Sequence, residues 1–266
     1  HINQLRGEGG GTVTGRLSMN QPNLQQTSAR HPIIGPMVRG LFLANTNQFW
    51  AALDFSSQEP RLLCHYSKLL NLPGADKMAA AYHADPDTDF HQMVADMAGI
   101  TRKQAKTIGL GLMYGMGKAK LAVSLDLQVD EASELIAQFH AKVPFLKGTI
   151  QAVQKKIDYP ASGGSIRTLL GRKCRFPLWE PAAWGISKAL PYEEAFAKYG
   201  VRIKRSGSFK GLNKILQGSA ADQTKRAMLE LHKAGYTMLL SVHDEIALSV
   251  DTREEAEAAA LIMRDC

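Results

Sequence analysis

Two aspartates at the ends of apolar runs are the residues in this sequence best placed to do chemistry. Asp54 closes the run Phe49-Trp50-Ala51-Ala52-Leu53, and Asp244 sits between the runs MLLSV and IALSV. A carboxylate at the end of a strand is positioned to hold a metal at the edge of a sheet. Two such acids on adjacent strands would reach a pair of divalent ions. Metals ~3.5–4 Å apart clamp the attacking and leaving oxygens of an in-line displacement. Mg²⁺ combines a few carboxylates with substrate phosphate oxygens, so two aspartates suffice. Taken alone, the His243-Asp244-Glu245 tip also has an ordinary reading, since an exposed turn needs polar residues.

The second feature is TRKQAKTIGLGLMYGMG, residues 101–117, with Arg102, Lys106, Leu110 and Tyr114 at four-residue steps. On an α-helix such steps keep side chains on one slowly drifting face. The face starts with two cations and passes through an apolar residue to an aromatic one. That order suits a nucleoside triphosphate, with charge for the phosphates and apolar surface for sugar and base. Gly109 and Gly111 each cost roughly 1 kcal/mol against Ala in a helix interior, and glycine there lets a backbone or a flat ring come close. An amphipathic helix with a cationic start explains the same pattern. His91, early in the preceding helical segment 89–99, is within reach of the same phosphates.

The elements that must position these groups follow from the pattern. Residues 47–70 read as a buried strand and then a helix, with Ser57 as N-cap and Pro60 at the third helical position. Glu59 falls in the first turn of that helix, where the dipole favours an acid. Residues 73–86 read as a loop with a short helical piece, and 121–147 as two helices punctuated by Asp130 and Pro144. A further helix covers 147–159. Residues 163–177 read as a hairpin around Gly171-Arg172, 178–205 as an irregular insertion, and 210–231 as a helix with Asn213 and Gln217 four apart. Residues 238–250 read as a hairpin with a three-residue polar tip, and 252–266 as a helix. The first thirty residues are a polar, Gly-rich ribbon bearing Arg16, Asn23, Gln25 and Arg30, side chains able to reach minor-groove acceptors and phosphates. Neither GxxxxGK[ST] nor a strand–GxGxxG–helix unit is present.

The 266 residues are 45% hydrophobic and 21% charged with a net charge of +7, the composition of a soluble globular chain with a polyanionic partner. Cys64, Cys174 and Cys266 form no CxxC pair, which excludes a zinc or disulfide framework and fits a reducing compartment. No apolar run approaches the ~20 residues of a membrane span. The chain opens on His1 and closes within AEAAALIMRDC, so it is read as an internal piece of a longer polypeptide.

Three blocks, DFSSQEPR (54–61), RKQAKTIGLGLMYG (102–115) and VHDE (242–245), resemble the signature motifs of the family A, DNA polymerase I-type, DNA polymerases. TGRLSMNQPNLQ (14–25) is similar to the family's primer–template segment and NKILQGSAAD (213–222) to the helix before its last motif. The five blocks occur in order across nearly the whole chain. The resemblance implies an α+β fold: a palm with a small antiparallel sheet carrying the catalytic acids, and a mainly helical fingers domain. It divides the chain into palm (1–62), fingers (63–205, with the insertion at about 178–205) and a second part of the palm (206–266), truncated at its C-terminus.

The implied function is template-directed addition of dNTPs to a primer 3′-OH, using two Mg²⁺. Asp54 and Asp244 would hold the ions, with the Phe55 carbonyl and Glu245 as auxiliary ligands. Arg102, Lys106 and His91 would bind triphosphate, and Lys106 would also protonate the pyrophosphate. Leu110, Tyr114, Gln58 and Glu59 would complete the nucleotide site, with Glu59 filling the space of a ribose 2′-OH. Arg16, Asn23, Gln25, Arg30, Arg172, Lys210, Asn213, Gln217 and His243 would touch primer–template DNA. Leu110 stands where the family usually has Phe or Tyr; with the insertion, it tilts the resemblance toward phage replicative enzymes, acting in the cytoplasm of a host bacterium, over bacterial repair enzymes. The isolated piece is expected to be poorly active. Any processivity partner is unspecified, and no membrane role is implied. Competing readings are a single-subunit RNA polymerase, which Glu59 opposes, a two-metal nuclease, and a catalytically dead DNA-binding remnant.

Overall fold

The computed structural model of the chain describes all residues except Leu5, Glu8, Gly9, Ser28, Ala29, Arg30, Trp184 and Ile186; Arg30, one of the expected DNA contacts, therefore lies outside the described residues. In chain order the elements are β1 (Ile2–Asn3), β2 (Ser18–Met19), α1 (Ile34–Arg39), β3 (Phe49–Asp54), α2 (Gln58–Leu69), α3 (Ala75–Ala84), α4 (Phe90–Ala98), α5 (Arg102–Met113), α6 (Lys118–Leu125), α7 (Val129–Lys142) and α8 (Pro144–Asp158). There follow β4 (Ser165–Arg167), β5 (Lys173–Arg175), β6 (Trp179–Pro181), α9 (Tyr192–Tyr199), β7 (Ile203–Arg205), α10 (Gly211–Lys233), β8 (Thr237–Val242), β9 (Glu245–Val250) and α11 (Arg253–Arg264). The fold is α+β, with small antiparallel sheets among many helices, as the sequence implied. Two compact units divide the chain: residues 1–58 with 217–266, and residues 59–216.

The first unit is built on the antiparallel sheet β3-β9-β8. β9, EIALSV, is buried along nearly its whole length because strands flank it on both sides. Its residues Ile246, Leu248 and Val250 share one face at period two. They pack with Ala227 and Leu231 of α10 and Ala259 and Met263 of α11 into one apolar cluster. β3 departs from the expected buried strand. It lies at the edge of this sheet, and Phe49 is 65% exposed. Apolar content alone does not distinguish an edge strand from a central one. Thr252 caps α11 by accepting from the Glu255 N–H, and Glu254 and Glu255 in its first turn suit the helix dipole.

The second unit is helical, with Leu63, Met78, Ile108, Phe139, Phe145 and Ile157 among its fully buried side chains. Gly211 shows how tightly it is packed: a Cβ there would lie 2.5 Å from Ile157 Cδ1, so α10 starts against α8 only because the residue is glycine. The hairpin β4–β5 forms as expected, with Ile166 opposite Cys174. The expected irregular insertion instead carries regular elements. β6 pairs antiparallel with β7, and α9 lies between them. The Trp179 ring is covered by the Arg205 guanidinium at 4.5 Å and met edge-on by Tyr192 at 5.1 Å. YEEAFAKY followed by Gly200 carries an acidic first turn and a glycine stop, a helix signal hidden by the surrounding prolines. The helix breaks also move: α6 gives way to α7 at residues 126–128, leaving Asp130 inside α7, and α8 begins at Pro144, where proline suits a first turn.

Candidate active site

In the first unit the strand register assembles the acids. Asp54, the last residue of β3, pairs directly with Glu245, the first of β9. Val242 of β8 is opposite the same Glu245, so His243 and Asp244 alone make the turn, one residue shorter than the expected tip. His243 has φ +59°, a left-handed conformation uncommon for a residue with a side chain. Three carboxylates therefore converge on one corner of the sheet. Burial first, then the charges of Asp244 and Glu245, raise the Asp54 carboxyl from an ordinary 3.8 to about 6. Such crowding of like charges is what a bound cation relieves. Among the described residues no group of three or more His, Cys, Asp or Glu side chains is arranged so that it could hold a metal ion. Mg²⁺ does not need such a group when substrate and water supply the remaining oxygens. Phe55, next in sequence to Asp54, packs its ring against the apolar cluster beneath, which fixes the adjoining backbone.

Several expected nucleotide and DNA contacts are engaged within this unit. α2 begins at Gln58 as expected, but Ser57 has φ +52° rather than the extended backbone of an ordinary N-cap. Gln58 is buried, and its amide donates to the Ala220 carbonyl, to Gln223 and to Thr224 on α10. Asn23 caps a single 3-10 turn, its Oδ1 accepting from the Gln25 N–H at 3.1 Å. Gln25 Nε2 donates to the Ser241 carbonyl at 3.2 Å, which ties that turn to β8. Arg16 and Gln217 are half-buried and His243 is exposed.

In the second unit, α4 and α5 bring the cations together. Asp89 caps α4 through Oδ1, which accepts from the N–H groups of His91 and Gln92. Its Oδ2 accepts from Arg102 Nε at 2.7 Å. Burial works to raise the Asp89 carboxyl, but the bonds from Arg102, Gln92 and His91 hold it below the usual carboxylate range. His91 is pushed below its ordinary value by burial and then by Lys106, with Asp89 opposing. The imidazole is thus disposed to be neutral, and its buried Nδ1 has no hydrogen-bond partner. Lys106 is exposed on the face that starts at Arg102. Thr101 and Gln104 close a reciprocal capping box at the start of α5.

Tyr114 falls just past the end of α5, at its C-cap, and donates its hydroxyl to Glu59 Oε2 at 2.9 Å. Glu59 is 8% exposed. Of the two glycines inside α5, Gly111 answers to a close approach, since a Cβ there would meet Met116 Sδ at 3.0 Å. Gly109 does not, because a Cβ there would have nothing within 4 Å. Leu110 is half-buried between them. Elsewhere in this unit, Arg172 sits in the β4–β5 turn, bonded through its backbone to Thr168. Lys210 lies over the Phe209 ring at 5.4 Å, and Asn213 is half-buried on α10.

The sequence reading missed two partners: Asp89, which orients Arg102, and the bond between Tyr114 and Glu59. The Asp89 signal was available as an Asx N-cap ahead of the apolar run FHQMV. The Tyr114–Glu59 bond joins residues 55 positions apart, and no local pattern announces it.

One unit thus carries an acidic sheet corner, and the other carries a cationic helix pair. The model of DNA polymerase family A matches residues 8–266, and the chain belongs to that family. It is 38% identical over 297 residues to a DNA-directed DNA polymerase of Pseudomonas phage M6, covering 96% of this chain and 41% of that protein. It is 30% identical over 259 residues to the thermostable DNA polymerase I of Thermus aquaticus, covering 96% of this chain and 28% of that one. Among solved structures, the POL domain of Pol1 from M. smegmatis, in complex with DNA primer-template and dNTP, superposes with a TM-score of 0.72 at 25% identity. That match covers 96% of this chain and 42% of the other. The chain thus spans about two-fifths of the length of its phage relative. No helix among the described residues is long and apolar enough to cross a membrane.

Proposed function

We propose that this chain is the palm-and-fingers portion of a template-directed DNA polymerase that adds dNTPs to a primer 3′-OH in phage replication. Residues 1–62 and 206–266 serve as palm and 63–205 as fingers. The observation that carries the reading is the register placing Asp54 opposite Glu245 and beside Asp244, with the Asp54 carboxyl raised to about 6. Asp54, Asp244, Glu245 and the Phe55 carbonyl are the oxygen donors for two Mg²⁺ ions, whose contribution when bound is to neutralise charge on the reacting phosphate and lower the pKa of the primer hydroxyl. Arg102, held by Asp89, and Lys106 bind the triphosphate. Lys106 also donates a proton to the departing pyrophosphate, a general-acid role suited to an exposed ammonium. His91, disposed to be neutral, donates a hydrogen bond rather than adding a charge.

Glu59, fixed by Tyr114, closes the space of a ribose 2′-OH, and Leu110 packs against the incoming sugar. Arg16, Arg172, Lys210, Asn213, Gln217 and His243 contact primer–template DNA. Asn23 and Gln25 act more through the shape of their turn than through free amides, and Gln58 through its hold on α10. Little covalent chemistry is asked of the protein, so positioning and electrostatics supply the rate. The test is primer extension by the full-length protein with Mg²⁺. Asp244→Ala is expected to lower kcat by at least about a thousandfold, roughly 4 kcal/mol, while leaving primer–template affinity within about threefold. Equal loss of binding and extension would mean that Asp244 holds the fold and not the metal.

A further inference from the structure

A cavity of about 670 Å³ opens in the second unit where α2, α8, the β4–β5 hairpin and the start of α10 meet. None of the proposed active-site residues lines it. Its volume falls within the range of sites that hold a ligand or a peptide anchor. The apolar lining comes from Leu69, Leu70, Val153, Ile166 and Ile215. Leu69 and Leu70 remain 65% and 44% exposed, although a helix end normally turns such residues inward.

Three cations, Lys156, Arg167 and Lys173, share the lining, and no carboxylate does. Three hydroxyls of the wall are committed to backbone carbonyls. Thr149 donates to the Phe145 carbonyl at 2.7 Å, Ser162 to Ile157 at 3.1 Å, and Ser165 to Ser162 at 2.7 Å. Arg167 places one N–H on the Gly171 carbonyl at 2.7 Å, and a guanidinium carries four more donors. The cavity thus offers apolar contact inside and positive charge around it.

We infer that this cavity is a docking site for a short acidic peptide segment of a partner protein, one that buries a large apolar or aromatic side chain and sets carboxylates against Lys156, Arg167 and Lys173. A single buried anchor supplies most of the affinity in such contacts, and the charges supply encounter rate and orientation. A nucleic acid strand fits less well, because it would bring phosphates to the cations but leave the aliphatic surface unfilled. The inference does not rest on the polymerase reading.

The probe is a fluorescein-labelled peptide of consecutive aspartates followed by Leu-Pro-Phe, titrated with the full-length protein and followed by anisotropy. Binding with a Kd of roughly 1–100 μM is expected. It should weaken at least about tenfold when the peptide's Phe becomes Ala, when its aspartates become lysines, and in the Lys156→Glu/Lys173→Glu variant. Ala152→Trp, which fills the cavity from α8, should do the same, with circular dichroism confirming its fold. The charge-reversed variant changes only exposed side chains and keeps the test decisive if the filled variant misfolds. Absence of binding at about 1 mM protein sites would overturn the inference. So would binding indifferent to Phe→Ala and displaced by oligo-dT, which would give the cations to DNA.

Discussion

The acidic corner of the sheet and the cationic pair of helices handle charge in opposite ways. At the corner, strand register brings Asp54, Asp244 and Glu245 together, and the Asp54 carboxyl is raised to about 6 by burial and by its neighbours. At the helices, Arg102 is already matched by Asp89, whose carboxyl is held low by that guanidinium and by two backbone N–H groups. The first region is electrostatically unbalanced without a cation, while the second supplies a counter-ion to one of its own cations. Sites that must capture a metal benefit from crowded acids, and sites that must hold a long side chain ready for a phosphate benefit from a local partner.

Lys106, unlike Arg102, makes no ion pair among the described residues, so its loss should exceed that of Arg102. Lys106→Ala in the full-length protein is expected to cut the single-turnover rate of primer extension about a hundredfold, and Lys106→Arg to recover about tenfold of it. A larger loss from Arg102→Ala than from Lys106→Ala would erase the distinction drawn between a tethered and an untethered cation. Next in size is sugar selection. Glu59→Ala should raise rNTP incorporation relative to dNTP by about tenfold or more, because a buried acid no longer fills the 2′ position. Tyr114→Phe removes the 2.9 Å bond to Glu59 but leaves the acid in place, so its effect on that ratio should be several times smaller, on the order of twofold to threefold. Equal effects would place Tyr114, not Glu59, against the sugar.

Which parts of these two regions were legible in the sequence follows from how local their causes are. The start of α5 was readable because Thr101 and Gln104 form a capping box within four residues and because the step of four is a property of any helix. The acids were readable because each ends an apolar run. Their register was not, since the pairing of Asp54 with Glu245 joins strands far apart in sequence, and Asp244 is placed by a two-residue turn between β8 and β9 with His243 at φ +59°, a conformation that nothing in VHDE requires. The burial of β3 was misread because its apolar residues line the side of a sheet edge, and hydrophobicity carries no information about how many neighbours a strand has. The 178–205 segment was misread for a related reason. Its prolines signal breaks, but the pairing of β6 with β7 spans more than twenty residues and is secured by Arg205 over Trp179.

The acid corner also predicts an inverted dependence of stability on pH. Most carboxylates have a depressed pKa in the folded state and stabilise it as pH rises. Asp54 is raised, from 3.8 to about 6, so the folded state binds the extra proton between those values. Its contribution is therefore fully present below about 3.8 and is lost as pH rises through about 6. Without divalent ions, Asp54→Asn should melt a few degrees higher than the parent at about pH 8 and show no advantage below about pH 4. Added Mg²⁺ should raise the parent's Tm above about pH 6 and have little effect on the variant. A parent whose Tm is insensitive to Mg²⁺ at every pH would remove the claim that the corner awaits a cation.

The smallest effect tests whether the cationic region depends on its own helix for order. Thr101 accepts from the Gln104 N–H, and Gln104 Oε1 accepts from the Thr101 N–H. Removing that cap leaves orphan N–H groups at the start of α5, one turn from Lys106. Thr101→Ala should cost about 1 kcal/mol of stability. If capping does nothing more, the KM for dNTP will stay within about twofold of the parent. If the cap also holds Arg102 against Asp89, KM will rise about as much as it does in Asp89→Ala, and Thr101→Ser will restore both. Agreement between those two variants would mean that the balance of charge at the helix pair is set by how α5 begins. The acidic corner has no such dependence, because its geometry comes from strand register.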